Sequence, residues 1–206
     1  MTDWREATDA CVEHLRALIR IPSVNPPGGE TPAAEYCAAA LRGAGIEAEV
    51  LEAAPGRGSC FGRLPATVDD PLPPLVLLSH LDVVPVDRNS WTRDPFGAEL
   101  IDGVVWGRGA VDMKDMVAME LAVMVELARS DVPRRRDVIF AALADEEAGG
   151  RFGALHWIAE RPDLFASSAG PAAAALNEVG GYSITLGERR FYTIQVAEKG
   201  ILWTRL

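Results

Sequence analysis

At 206 residues the chain is long enough to bury one good hydrophobic core. Its composition, 49% hydrophobic and 24% charged, is that of an ordinary soluble globular protein, and a net charge of −10 argues against nucleic acid or an anionic membrane as partner. No apolar run approaches the roughly 20 residues of a membrane span. The N-terminus is too polar for a secretory leader, and three cysteines without a CxxC spacing are expected to be core thiols in a reducing cytoplasm.

Residues 3–20 predict an amphipathic helix, with Trp4, Ala7, Cys11, Leu15, Leu18 and Ile19 on one face and Arg5, Glu6, Asp9, Glu13 and Arg16 on the other. Pro22 stops it. After the loop Asn25-Pro26-Pro27-Gly28-Gly29, Thr31 reads as an N-cap with Pro32 at the first helical position, opening a helix over 32–42 that Gly43 and Gly45 close. Residues 46–52 alternate as a strand with one solvated face does, and a short strand is expected near 60–64. Beyond a loop from Pro65 to Pro74, Leu75-Val76-Leu77-Leu78 predicts a strand buried on both faces, the mark of a central parallel strand. It ends in Ser79-His80-Leu81-Asp82. Ligands of open α/β sheets bind outside the carboxyl ends of the strands, so His80 and Asp82 fall where chemistry is usually done.

Residues 85–98 look irregular, and 99–106 read as a hairpin turning at Asp102-Gly103. Gly107-Arg108-Gly109 leads into a helix over 112–128 that is apolar nearly all round and therefore buried on most sides. Arg134-Arg135-Arg136 reads as a solvated turn before a buried strand at 137–144, which ends in Asp145-Glu146-Glu147. A helix at 151–160 follows Gly149-Gly150, then a weaker apolar run at 172–176 ends in Asn177-Glu178. Two further strands, 182–187 and 190–197, join at Gly187-Glu188. Three strands thus end in His80, in Glu146-Glu147 and in Glu178, with Asp112 at the start of a helix. Adjacent strands lie about 4.8 Å apart, close enough for such ends to converge. One imidazole with several carboxylates is a ligand set for divalent cations, and the carboxylates alone would repel. The glycines at 107 and 109 lack the remainder of a dinucleotide fingerprint, and no GxSxG elbow is present.

Four stretches in this order and spacing, Ser79-His80-Leu81-Asp82-Val83-Val84-Pro85, Trp106-Gly107-Arg108-Gly109-Ala110-Val111-Asp112-Met113-Lys114, Ala144-Asp145-Glu146-Glu147 and Leu176-Asn177-Glu178, together resemble the signature of the M20 metallopeptidases. That group includes aminoacylases, acetylornithine deacetylases, succinyl-diaminopimelate desuccinylases and glutamate-releasing carboxypeptidases. The similarity runs from Ile21-Pro22-Ser23-Val24-Asn25-Pro26 onward. The resemblance implies an α/β fold, a three-layer α/β/α arrangement with a mostly parallel central sheet. Residues 1–206 would be the N-terminal portion of a metallohydrolase catalytic domain, without the lid or dimerisation domain and the C-terminal return. It implies two divalent ions, zinc first with cobalt or manganese as alternatives. Asp112 would bridge them, His80 and Glu178 would complete one site, and Glu147 would bind the other. That second site is incomplete here, because the family adds a histidine from its far C-terminal part. Glu146 would be the general base, passing a proton from a metal-bridging water to the leaving amine, and Asp82 would fix the tautomer of His80. A cis peptide bond between Asp112 and Met113 is also implied. The function implied is metal-dependent hydrolysis of the amide or peptide bond of a small N-acyl amino acid or short peptide. Neither nucleic acid nor membrane would be a partner, and homodimers belong to the full-length family. The alternatives are a catalytically inactive, truncated metal-binding remnant or partner-dependent fragment, and a non-catalytic interaction domain that binds no metal.

Overall fold

The computed structural model describes residues 4–178 and 183–192. In chain order it contains α1 (Trp4–Ile19), α2 (Thr31–Gly43), β1 (Glu47–Glu52), β2 (Gly58–Leu64), β3 (Leu72–His80), β4 (Glu99–Ile101), β5 (Val104–Trp106), α3 (Lys114–Arg129), β6 (Arg136–Leu143), α4 (Ala154–Glu160), β7 (Ala166–Ser167), β8 (Gly170–Pro171), β9 (Ala174–Leu176), β10 (Ser183–Leu186) and β11 (Arg189–Tyr192). The expected strands over 182–187 and 190–197 correspond to β10 and β11, with residue 182 and residues 193–197 lying outside the described residues.

Five strands form one sheet in the order β1-β2-β6-β3-β9. β3 pairs in parallel with both β6 and β9, β2 pairs antiparallel with β6, and β1 antiparallel with β2, so four of the five strands point the same way. The continuous apolar runs of β3 and β6 are explained by burial on both sheet faces. On one face Leu77 and Phe140 pack with Leu18, Leu41, Leu121 and Met124 from the first three helices. On the other, Val76, Ile139 and Phe61 meet Trp157 of α4 and Leu164. Helices on both faces of a mostly parallel sheet are the three-layer arrangement expected. Among the described residues no helix is long and apolar enough to cross a membrane.

Several local expectations shift. Trp4 is 73% exposed rather than on the buried face. Glu6 pairs with Arg129 at the last residue of α3, so Trp4 lies beyond the end of the helix that α1 packs on. Glu30, not Thr31, occupies the N-cap of α2, and the Thr31 hydroxyl donates instead to Glu52. The helix α3 is less enclosed than its composition suggests, because Met119 and Val123, a turn apart, stand exposed. Arg134 is not simply solvated: its guanidinium donates to the carbonyls of Pro65 and Leu127, and Arg136 begins β6. The helix expected from 151 starts only at Ala154.

Inside α3 the buried Glu120 accepts from Ser79 Oγ at 2.7 Å, while its other carboxyl oxygen has no partner among the described residues. Burial pushes this carboxyl up to about 8. A folded-state value above the unfolded one means that folding favours the protonated form. The stability this confers is complete below the unfolded value and is lost as pH rises through 8. Glu120→Gln should therefore flatten the decline. Relative to the variant, the wild-type Tm is expected to drop by roughly 5–10 °C between pH 5 and pH 9, followed by circular dichroism. Parallel curves for the two proteins would refute the assignment.

Candidate metal centre

The register of the sheet brings the site residues to one rim. His80, the last residue of β3, pairs with Leu143, the last residue of β6, so Asp145, Glu146 and Glu147 emerge beside it. Leu176 ends β9 opposite Leu77, which places Glu178 on the same rim. Asp112 arrives by a loop that turns at Gly109, where φ is +84° and a Cβ would press into Val83 and Lys114. The loop is anchored from below. Lys114, fully buried, donates its Nζ to the carbonyls of Leu18 (3.0 Å) and Ile21 (2.8 Å) at the end of α1, and burial lowers its pKa to about 8. The peptide bond between Asp112 and Met113 is cis, as the resemblance implied, and Met113 Sδ accepts from the backbone N–H of His80 at 3.3 Å.

The side chains converge on His80 Nε2. Asp112 Oδ1 lies 3.1 Å away, Glu178 Oε1 3.5 Å and Glu146 Oε2 3.8 Å. Ligand atoms of His80, Asp112 and Glu178 all fall within 4.8 Å of one another, a spacing that one cation could span. Glu147 stands outside this group of three, half-buried on the neighbouring turn. The electrostatics suit a cation. Burial opposes charge on the His80 ring, yet Asp82, Glu178 and Glu146 overcome it and raise the ring to about 9. Burial, with Asp112 and Glu146 adding to it against the pull of His80, pushes Glu178 up to about 7. Burial and then the Asp112 charge raise Glu147 as well. A divalent ion placed among these groups would remove the repulsion that holds them up.

Asp82 is completely buried and does not reach the cluster of three. His80 Nδ1 has the Asp82 backbone oxygen at 3.0 Å and the Oδ1 atom at 3.4 Å, so the main-chain oxygen is the nearer partner for orienting the ring. The carboxylate itself accepts from the backbone N–H groups of Glu146 and Glu147, each at 3.0 Å, and from Asn25 Nδ2 at 2.8 Å. Burial would raise the Asp82 pKa, but these bonds and His80 hold it below the usual carboxylate range. Sequence reasoning placed Asp82 beside the site without seeing that it suspends the Glu146–Glu147 turn. It also missed Asn25, Glu30, Arg57 and Asp145, which form a buried polar group behind that turn.

The open, mostly parallel α/β sheet, with an imidazole and acidic groups gathered at its carboxyl rim, has a fold like that of M20 peptidase catalytic domains. Solved structures share this fold. Human carnosine dipeptidase 1 superposes with a TM-score of 0.69 at 20% identity, covering 87% of this chain and 40% of that one. An M20 family metallo-carboxypeptidase from Sulfolobus solfataricus gives 0.69 at 21% identity, covering 83% of this chain and 37% of that one. The profile of peptidase family M20/M25/M40 matches residues 76–191, more than half of the sequence, and the chain belongs to that family. Among curated relatives, a succinyl-diaminopimelate desuccinylase from Cereibacter sphaeroides is 37% identical over 148 residues, 69% of this chain and 37% of its own. One from Rhodopseudomonas palustris is 32% identical over 165 residues, 77% and 42% respectively. The chain thus spans less than half the length of the curated relatives it matches.

Proposed function

We propose that residues 1–206 form the N-terminal portion of a metallohydrolase catalytic domain that cleaves the amide bond of a small N-acyl amino acid or short peptide. The observation that carries this reading is the convergence of Asp112, Glu178 and Glu146 on one buried imidazole. His80, Asp112 and Glu178 would hold one divalent cation, zinc first among candidates, and Glu147 with Asp112 would contribute to a second. When bound, such cations polarise a carbonyl and lower the pKa of water. The other roles belong to side chains. Glu146, 55% exposed at the edge of the cluster, is placed to take a proton from the attacking water and return it to the departing amine. Asp82 and the main chain around it orient His80 and hold the turn carrying Glu146. The curated relatives are named for removing a succinyl group from diaminopimelate, which favours an N-acyl amino acid as substrate. Three free thiols fit a reducing, cytoplasmic location.

Purified protein assayed with N-succinyl and N-acetyl amino acids and dipeptides should show turnover that a chelator abolishes and zinc or cobalt restores. Full metal occupancy by elemental analysis without turnover would instead favour the inactive remnant. No bound metal would leave only the interaction domain.

A further inference from the structure

Behind the proposed proton-transfer group lies a set of buried charges with no part in the chemistry so far. Arg57, 8% exposed, donates Nε and Nη2 to the two carboxylate oxygens of Glu30 at 2.8 and 2.7 Å. Its Nη2 also donates to Asp145 Oδ1 at 2.8 Å. Glu30 is completely buried, and Gly28, at φ +91°, leaves room for the guanidinium where any side chain would collide with it. Asp145 uses both oxygens: Oδ1 also accepts from Asn25 Nδ2 at 3.0 Å, and Oδ2 from the Phe152 N–H at 2.9 Å. Asp145 immediately precedes Glu146 and holds the left-handed backbone conformation, φ 70°, that L side chains seldom adopt.

We propose that Arg57 and Glu30 are positioning residues that act through Asp145 to fix the direction in which Glu146 and Glu147 leave the sheet. The inference rests on the functional reading above for what those two carboxylates do. Asp145 spans the turn, with its carboxylate bonded to Phe152 on the far side and its carbonyl to the Gly150 N–H. Its φ survives because the guanidinium and the Asn25 amide hold the carboxylate from behind. Without the guanidinium the two buried carboxylates lose the cation they share, and Asp145 keeps only the Asn25 amide and the Phe152 N–H against relaxation toward ordinary φ. A lysine cannot substitute, because one ammonium cannot present the planar fork that grips Glu30 with two bonds while also reaching Asp145. None of these groups lies in the His80, Asp112 and Glu178 cluster, so the effect should fall on the turn and spare that cluster.

The test compares wild type with Arg57→Lys and with Asp145→Asn, which is isosteric and leaves the Glu30 pair intact. Three readouts are taken: hydrogen exchange resolved by segment, zinc binding to the purified protein, and kcat and KM on an N-acyl amino acid. Expected are faster exchange confined to 145–152, a first zinc ion bound within about twofold of wild-type affinity, and kcat lowered about 10- to 100-fold with KM little changed. Unchanged kcat in both variants of an active enzyme overturns the proposal, as does exchange that accelerates across the whole sheet. If wild type itself has no activity, the functional reading has failed and exchange alone decides: local acceleration in 145–152 upholds the positioning role, and its absence ends it.

Discussion

Glu146→Gln is expected to lower kcat by about 10²- to 10⁴-fold, the usual contribution of a positioned general base, while leaving the metal content unaltered. The reason lies in how the residue is held. Its main-chain N–H is bonded to Asp82 Oδ1 at 3.0 Å, a contact that a side-chain amide does not disturb. Its carboxylate is half in solvent, 3.8 Å from His80 Nε2 and not one of the three atoms grouped for a cation. Glutamine keeps the shape and loses only the capacity to take a proton. Stability should therefore hold and KM should move little, which elemental analysis, a thermal melt and steady-state kinetics would establish together. Retention of more than about a tenth of the wild-type rate would remove Glu146 from the role.

The second large effect concerns Asp112. Its side chain is 61% exposed, so folding gains little from it, yet its Oδ1 approaches His80 Nε2 to 3.1 Å. Asp112→Ala should thus melt close to wild type in the absence of metal. With zinc at about 100 times the wild-type Kd, wild type should gain roughly 5–10 °C in Tm from mass action. The variant should gain almost nothing. Asp82→Asn provides the contrast, because Asp82 is completely buried and its carboxylate accepts from three groups, the Asn25 amide and the Glu146 and Glu147 N–H. That substitution should lower the metal-free Tm as well. Equal zinc-induced shifts in wild type and Asp112→Ala would exclude the carboxylate from the cation site.

Much of this was legible beforehand because the controlling signals are local. Leu75–Leu78 and Val138–Leu143 are continuous apolar runs, and a strand buried on two faces has no other way to be written. The glycines at 103 and 109 mark positive φ, and both turns form where they fall. His80, Asp112, Glu146 and Glu178 could be brought to one rim because strand ends in a parallel sheet share an edge. What stayed hidden is contact between groups distant in sequence. Glu30 and Arg57 are 27 positions apart with nothing in either neighbourhood to link them. Thr31 resembles a helix cap because a local rule sees hydroxyls and not the guanidinium that draws Glu30 inward. Asp145 looked like one acid in an acidic run, whereas its φ and its burial set it apart from Glu146 and Glu147. Trp4 failed for the reverse reason: its helical periodicity is correct, but the partner helix does not extend beneath it.

The ammonium of Lys114 and the two carbonyls that receive it tie the loop bearing Asp112 to the end of the first helix. Expression trials that trim the gene to a tidier start would treat that helix as dispensable, since no acid or imidazole of the rim comes from it. Such a clone would strand an enclosed ammonium without acceptors and slacken the path to Asp112. The opening twenty-odd residues therefore brace the loop that carries Asp112 as firmly as anything within the loop itself.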